Sequence, residues 1–274
     1  MTPSQSDKAV RFRALHQGPG AFLMPNPWDA GSARILAGLG FQALATSSSA
    51  AASVVGRKDG GLTRGEALAH ARTIVDSTDL PVSADLEKGF GDEPEVVAET
   101  IRLAAEVGLV GCTIEDTTGN PERPLYDFEL AVERIAAAAE AASALEFPFL
   151  LTARAHGLLY DDASLDGTIR RLQAFEKAGA DVLFAPGLPD LAVVRTVCTA
   201  VSKPFNFMAG IKGKSFSVGE LAAAGVRRIS LASSLYRAAV GGLLDAAREL
   251  KDTGQFGYLD RCPTTPELNK LMGL

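Results

Sequence analysis

Two carboxylates, Asp85 and Glu87, stand two residues apart in the stretch Asp85-Leu86-Glu87-Lys88-Gly89-Phe90-Gly91, directly behind the apolar run Leu80-Pro81-Val82-Ser83-Ala84. Such a run reads as a buried strand, and side chains at i and i+2 share one face of a strand. Paired carboxylates repel each other unless a cation or a proton lies between them. The stretch is therefore a candidate magnesium site at a strand's C-terminal end. A second acidic pair, Glu115-Asp116, closes the run Gly111-Cys112-Thr113-Ile114, and Asp59 sits in the polar excursion Gly56-Arg57-Lys58-Asp59. Asp59, Asp85, Glu87 and Glu115 make a hard, oxygen-rich donor set that suits Mg²⁺, with Mn²⁺ as the alternative. No His/Cys cluster suggests zinc.

Arg154 ends another apolar run and is a fixed cation suited to gripping a carboxylate or phosphonate with two N–H groups. The hydroxyls and amides of Ser47-Ser48-Ser49 can hold a further carboxylate oxygen, and Asn206 lies at a later strand. Metal, arginine and hydroxyls together suit an anionic 2-oxo acid. Cleaving a bond beside its carbonyl leaves an enolate, which a metal stabilises as a Lewis acid. Taken singly, each residue has a plainer reading. Glu115-Asp116 can be a helix N-terminal pair, Asp85 and Glu87 solvated loop charge, Arg154 a rim ion pair, and Ser47–Ser49 a turn with a helix cap. Trp28 reads as packing under the loops, His156 as structural, and Cys112 as a core thiol. Function is favoured by their coincidence at the same end of successive strands.

The elements that must position these residues repeat along the chain. Eight strand candidates cover residues 21–25, 43–47, 82–85, 111–115, 149–153, 182–185, 205–208 and 228–232. Amphipathic stretches lie between them at 30–39, 63–77, 94–107, 127–144, 165–178, 188–200 and 218–224. Gly40, Gly108, Gly179 and Gly225 close several of the helices before the next strand. This alternation predicts an α/β chain folded as a (β/α)₈ TIM-type barrel, in which strand C-termini line the active site. The rival, a doubly wound sheet, would carry a glycine-rich phosphate turn after strand 1, where this chain has Pro25-Asn26-Pro27-Trp28-Asp29. One barrel domain spans 1–274, with 235–274 a C-terminal helical extension that can cap the barrel or pack on a partner subunit.

Composition narrows the functional classes. With 274 residues, 47% of them hydrophobic, the chain can bury one large core. A net charge of −6 without a basic run argues against nucleic acid. No stretch is apolar for long enough to span a membrane, and residues 1–10 are too polar for a signal peptide. Three cysteines without a CxxC make a reducing cytoplasm the expected compartment.

The motifs in order are Pro-Asn-Pro-Trp-Asp-Ala-Gly-Ser-Ala (25–33), Thr-Ser-Ser-Ser-Ala (46–50), Gly-Arg-Lys-Asp to Leu-Thr-Arg-Gly-Glu (56–66), Asp-Leu-Glu-Lys-Gly-Phe-Gly (85–91), Gly-Cys-Thr-Ile-Glu-Asp (111–116) and Ala-Arg-Ala (153–155). In that order and spacing they resemble the isocitrate lyase/phosphoenolpyruvate mutase superfamily, over roughly residues 22–238. The resemblance implies a (β/α)₈ barrel whose last helix is exchanged between subunits, a homo-oligomer (dimer or dimer-of-dimers tetramer), Mg²⁺, and 2-oxo acids whose C–C or P–C bonds are broken or formed. It implies Asp85 as direct metal ligand, with Asp59, Glu87 and Glu115 acting through bound waters. Ser47, Ser48, Ser49, Trp28, Asp85, Asn206 and Arg154 then line the substrate, and Arg154, Asp59 and Glu115 form the catalytic set.

The departures carry the subtype. The superfamily usually has Asp-x-Asp where this chain has Asp85-Leu86-Glu87. Its lyases carry a Lys-Lys/Arg-Cys-Gly-His loop, whereas residues 117–126 here read Thr-Thr-Gly-Asn-Pro-Glu-Arg-Pro-Leu-Tyr, without cysteine or histidine. Phosphonate-processing members usually have a lysine at the position of Thr117, and lyases tend to show Phe-Pro-Glu near Phe184-Ala185-Pro186-Gly187. These losses favour a Mg²⁺-dependent lyase or decarboxylase cleaving a small carboxylated 2-oxo acid or 2-hydroxy acid. A phosphonopyruvate-type mutase or hydrolase and a 2-oxo acid binding protein with little catalysis are the alternatives. Gly119, Asn120 and Pro121 suit a mobile lid that shields an enolate from water.

Overall fold

A computed structural model describes residues 2–160, 164–213 and 216–274. Eight parallel strands form a single sheet in the order β1-β8-β7-β6-β5-β4-β3-β2. They are β1 (Phe22–Met24), β2 (Leu44–Ala45), β3 (Val82–Asp85), β4 (Gly111–Glu115), β5 (Leu150–Arg154), β6 (Val182–Phe184), β7 (Phe205–Met208) and β8 (Arg228–Ser230). The helices described are α1 (Gln5–Gln17), α2 (Ala30–Gly38), α3 (Ser48–Val54), α4 (Arg64–Asp76), α5 (Pro94–Glu106), α6 (Phe128–Ser143), α7 (Leu165–Lys177), α8 (Leu191–Ala200), α9 (Val218–Ala223), α10 (Ser234–Thr253) and α11 (Thr265–Met272). The predicted (β/α)₈ barrel is thus present, and all eight expected strands appear. β1, β2, β6 and β8 are shorter than expected, while β4 and β5 pair over all five of their residues.

β1 and β2 share no ladder, and side-chain chemistry bridges that seam. The Ala45 amide donates to the Pro25 carbonyl at 3.1 Å. Asn26 then reaches both ways: its Nδ2 donates to the Thr46 carbonyl and its Oδ1 accepts from the Leu231 amide, each at 2.9 Å. One amide side chain thereby ties β2 to the end of β8, closing the barrel to within one seam.

Two helices lie where the sequence reading placed none. α1 carries a capping box between Ser4 and Asp7 and plugs the barrel's N-terminal end with Ala9, Phe12 and His16. Phe12 is fully buried, worth about 2–3 kcal/mol of transfer free energy. It fits because β4 begins with glycine: a Cβ at Gly111 would lie 3.1 Å from the Phe12 ring and 2.6 Å from the Leu150 carbonyl oxygen. α3 is short, begins at Ser48, and is capped by Ser47 Oγ, which accepts from the Ala50 amide.

The C-terminal region departs from the compact barrel. α10 leaves β8 and has no buried residue along its length. α11 returns to pack on α2 so closely that a Cβ on Gly38 would stand 2.0 Å from the Leu271 carbonyl oxygen. No helix among the described residues is long and apolar enough to cross a membrane.

Candidate active site

The strand C-termini converge on a narrow cavity of about 50 Å³, lined among others by Thr46, Ser47, Asp85, Arg154, Asn206 and Arg228. A wider hollow at the opposite end, bordered by Arg13, His16 and Lys203, draws on strand N-termini instead. Chemistry on this fold sits at the C-terminal face, so the narrow cavity is the candidate site.

Asp85 ends β3 and faces inward. Its Oδ2 accepts from Ser48 Oγ at 3.1 Å and lies 3.4 Å from the Ser48 amide, while Oδ1 accepts from the Glu87 amide at 3.2 Å. Burial raises its pKa; Arg154 opposes this, while Glu115 and Asp59 push further upward. Glu87 has a left-handed backbone, φ 51°, which a non-glycine residue adopts only when its surroundings enforce it. The enforcement is visible. The Glu87 carbonyl accepts from the Glu115 amide at 2.9 Å, and buried Arg134 of α6 donates to the carbonyls of Lys88, Gly91 and Asp92. Burial, with Asp85, Asp59 and Glu115 nearby, pushes the Glu87 carboxyl up to about 7. Asp59 is exposed on the loop after α3, its Oδ1 accepting from the Gly60 amide at 3.1 Å. It reaches Asp85 and Glu87 through its field.

Glu115 ends β4 and is the most constrained of the four. Its Oε2 lies 3.2 Å from Arg154 Nη1 and 3.2 Å from His156 Nδ1, and its Oε1 accepts from Thr117 Oγ1 at 2.6 Å. Burial works against its charge, but Arg154, His156 and Thr117 outweigh it and hold the carboxyl at about 2. Asp116 is no helix cap, since α6 begins only at Phe128. It accepts from the His156 amide at 2.8 Å and from Arg171 at 3.3 Å, fixing the start of both loops.

Arg154 stands with its guanidinium carbon 4.9 Å from the Phe184 ring centre. Its Nε is buried without a hydrogen-bond partner, alone in this among the described side-chain polar atoms. An orphaned buried donor costs about 1–3 kcal/mol.

The other expected residues divide. Ser47 lines the cavity while capping α3, and Ser48 is turned toward Asp85. Ser49 lies in the first turn of α3, its carbonyl accepting from Ser53. Asn206 lines the cavity, but both polar atoms are engaged, Nδ2 with Ser230 and Oδ1 with Arg228. Trp28 sits at the rim, its ring 5.7 Å from Tyr236 at the start of α10 and its carbonyl 2.9 Å from His70 Nε2. Cys112 is fully buried, the core thiol expected. Residues 117–126 form a small hairpin, with a bridge between Thr117 and Leu125 and a bond from Lys88 Nζ to the Thr118 carbonyl at 2.9 Å. Arg228 was not singled out in the sequence. Its signal is the strand's period of two, which puts it on the same face as Ser230.

Among the described residues no three His, Cys, Asp or Glu side chains converge closely enough to enclose an ion. A cation held by one carboxylate, with the others acting through water, does fit. Asp85 lies among like charges and is pushed toward protonation, and a divalent ion would relieve that repulsion.

The sequence pattern of the phosphoenolpyruvate phosphomutase family matches residues 12–251. The chain is 49% identical to a solved structure from Burkholderia cenocepacia J2315 described as a "putative lyase/mutase", with a TM-score of 0.96 over 98% of this chain and 97% of that one. It is 30% identical to an oxaloacetate decarboxylase of Marinomonas sp. (94% of this chain, 90% of the relative). It is 31% identical to the 2-methylisocitrate lyase of Escherichia coli (84% and 80%). The chain belongs to the phosphoenolpyruvate phosphomutase family, within the isocitrate lyase/phosphoenolpyruvate mutase superfamily.

Proposed function

From that membership we propose that the chain is a Mg²⁺-dependent carbon–carbon lyase or decarboxylase acting on a small carboxylated 2-oxo acid through an enolate. The observation that carries this reading is the unpartnered, buried Nε of Arg154 beside the cavity that Asp85 also lines. It is a donor placed for an anionic oxygen that the chain itself does not supply. Relatives named for 2-methylisocitrate cleavage and for oxaloacetate decarboxylation support the same bond class.

Arg154 binds the substrate carboxylate through Nε, while Glu115 holds its Nη1 side. Thr117 and His156 fix Glu115 in turn, so the guanidinium plane is set before a ligand arrives. Asp85, oriented by Ser48 and the Glu87 amide, would hold a Mg²⁺ ion, which would supply the Lewis acid for the 2-oxo group. The narrow cavity limits the ligand to a small acid and excludes bulk water from the carbanionic carbon. From a carboxylated 2-oxo acid, loss of carbon dioxide leaves the enolate of the shorter 2-oxo acid, which takes up a proton. From a substituted malate, the hydroxyl gives its proton to a base as the 2-oxo acid departs, and the carboxylate enolate left behind takes up a proton.

The test is pyruvate or oxo acid release from a panel including oxaloacetate and substituted malates, with Mg²⁺ and with chelator. Metal-dependent turnover of one member is expected. Metal binding without turnover of any would overturn the reading, and a phosphorus NMR change with phosphonopyruvate would replace it.

We also propose a homo-oligomer. α10 leaves Leu243 66% and Leu244 45% exposed, with no residue of its own buried. An apolar helix face of that kind seeks a partner, and a second copy offers the same face. Light scattering showing a monomer at micromolar concentration would refute it. Its three free cysteines suit a reducing cytoplasm.

A further inference from the structure

The site cavity has a second cation, Arg228, and no carboxylate among the described residues pairs with it. Its side chain is 1% exposed. Nε donates to Asn206 Oδ1 at 2.8 Å, Nη2 donates to Thr152 Oγ1 at 3.0 Å, and Nη1 lies 3.4 Å from His16 Nε2. His16 Nδ1 faces the Phe12 carbonyl at 2.8 Å, which can only accept. The imidazole proton therefore sits on Nδ1, and Nε2 receives the Arg228 hydrogen. All three partners are neutral. They satisfy three of the five guanidinium N–H groups and none of the charge. Burying a charge without a counter-ion is costly, and an apolar side chain of similar volume would serve a purely structural role at lower cost. Yet this cation lines the same cavity as Arg154 and Asp85. The lining itself holds these two cations and one carboxylate, Asp85; Glu115, behind it, pairs with Arg154 and leaves Arg228 without a counter-ion.

We propose that Arg228 is a specificity-determining residue of this site: the buried cation at the cavity floor selects a ligand with two negative charges over one with a single charge. The inference rests on the cavity being the 2-oxo acid site proposed above. It adds which residue reads the second charge of that acid: Arg154 holds one carboxylate and Arg228 acts on the other. Asn206 is then a positioning residue, its Oδ1 accepting from Arg228 Nε and fixing the direction of the guanidinium while its own Nδ2 donates to Ser230.

Oxalate and pyruvate provide the probe, since they have the same number of non-hydrogen atoms and differ by one charge. Affinities of both are measured by calorimetry with Mg²⁺ present, on the wild-type chain and on Arg228→Met, Arg228→Lys and Asn206→Asp. The wild type should prefer oxalate. Arg228→Met should weaken oxalate by about tenfold or more while moving pyruvate less than about threefold, the scale of one charge in a partly dry site. Arg228→Lys should restore most of the preference. Asn206→Asp, nearly isosteric and placing a carboxylate on the guanidinium, should erase it even if Arg228→Met fails to fold. Equal losses for both ligands, an unchanged ratio in Asn206→Asp, or a wild type that binds neither would overturn the inference. No turnover is needed: oxalate selection through Arg228 without cleavage of any 2-oxo acid would sink the lyase reading and keep this one.

Discussion

Two carboxylates of one site should respond in opposite directions when neutralised. Glu115→Gln removes the partner of Arg154 from a position only 12% exposed. The folded protein holds that carboxyl at about 2 against an ordinary 4.5, so its charge stabilises the fold by about 3 kcal/mol at neutral pH. That stability is present above pH 4.5 and is lost as pH falls toward 2. Glu87→Gln removes a charge the fold disfavours. Its carboxyl titrates near 7, so stability is full below pH 4.5 and is lost as pH rises through 7. Glu87 is half-buried, and discounting the shift by about half for solvent screening leaves a gain of about 1–2 kcal/mol for the glutamine at pH 8. At about 2 °C per kcal/mol for a chain of this size, chelator-treated Glu115→Gln should melt about 6 °C lower at pH 8, and Glu87→Gln about 2–4 °C higher. The Glu87→Gln gain should vanish at pH 4.5 and shrink when Mg²⁺ is added. Melting curves by circular dichroism at both pH values decide it. Shifts of the same sign at pH 8, or a Glu87→Gln gain that persists at pH 4.5, would refute the reasoning.

Gly38→Ala should detach α11, because its Cβ would meet the Leu271 carbonyl oxygen at 2.0 Å; hydrogen exchange should rise across 265–272 at a cost of about 1–3 kcal/mol. His16 is buried neutral, with burial first and then Arg228 depressing its pKa to about 3. Its contribution is therefore lost as pH falls below 6.5, by up to about 1.4 kcal/mol per pH unit, and His16→Gln should flatten urea-denaturation stability between pH 6.5 and 4. Residues 117–126 should gain exchange protection with Mg²⁺ plus oxalate if the hairpin closes as a lid; equal exchange in both states removes it from the mechanism.

The strands and the acidic residues at their ends were legible because each depends on a local pattern: a short apolar run, a glycine stop, a polar tip. α1 was not, since its buried face is spread over Ala9, Phe12 and His16 within a polar sequence. α3 was hidden in Ser47–Ser49, whose hydroxyls fit both a cap and a ligand site; Ser47 does cap, while also lining the cavity. His156 reads as structural from the sequence, because its contact with Glu115 needs two adjacent strands in register, which no single segment encodes. Arg228 meets His16 across 212 positions of chain. A lone arginine in a strand gives no hint of such a partner.

That long-range contact also bears on assembly. The helix that seals the barrel floor belongs to the first seventeen residues, while its arginine partner arrives with the last strand. Phe12 rests on β4 and can dock early, as can Gln5 on the Ala105 and Leu109 carbonyls and Lys8 on the Thr78 carbonyl, whereas His16 Nε2 waits for Arg228 of β8. The His16 ring can pack early against Phe12 and Phe22, but its Nε2 meets Arg228 only when the circle closes. Pairing of β1 with β8 and the His16–Arg228 contact therefore form together, and their high sequence separation slows folding for topological reasons. A chain stopped short of β8 would hold an open, edge-bearing sheet with a loose plug, a species prone to self-association.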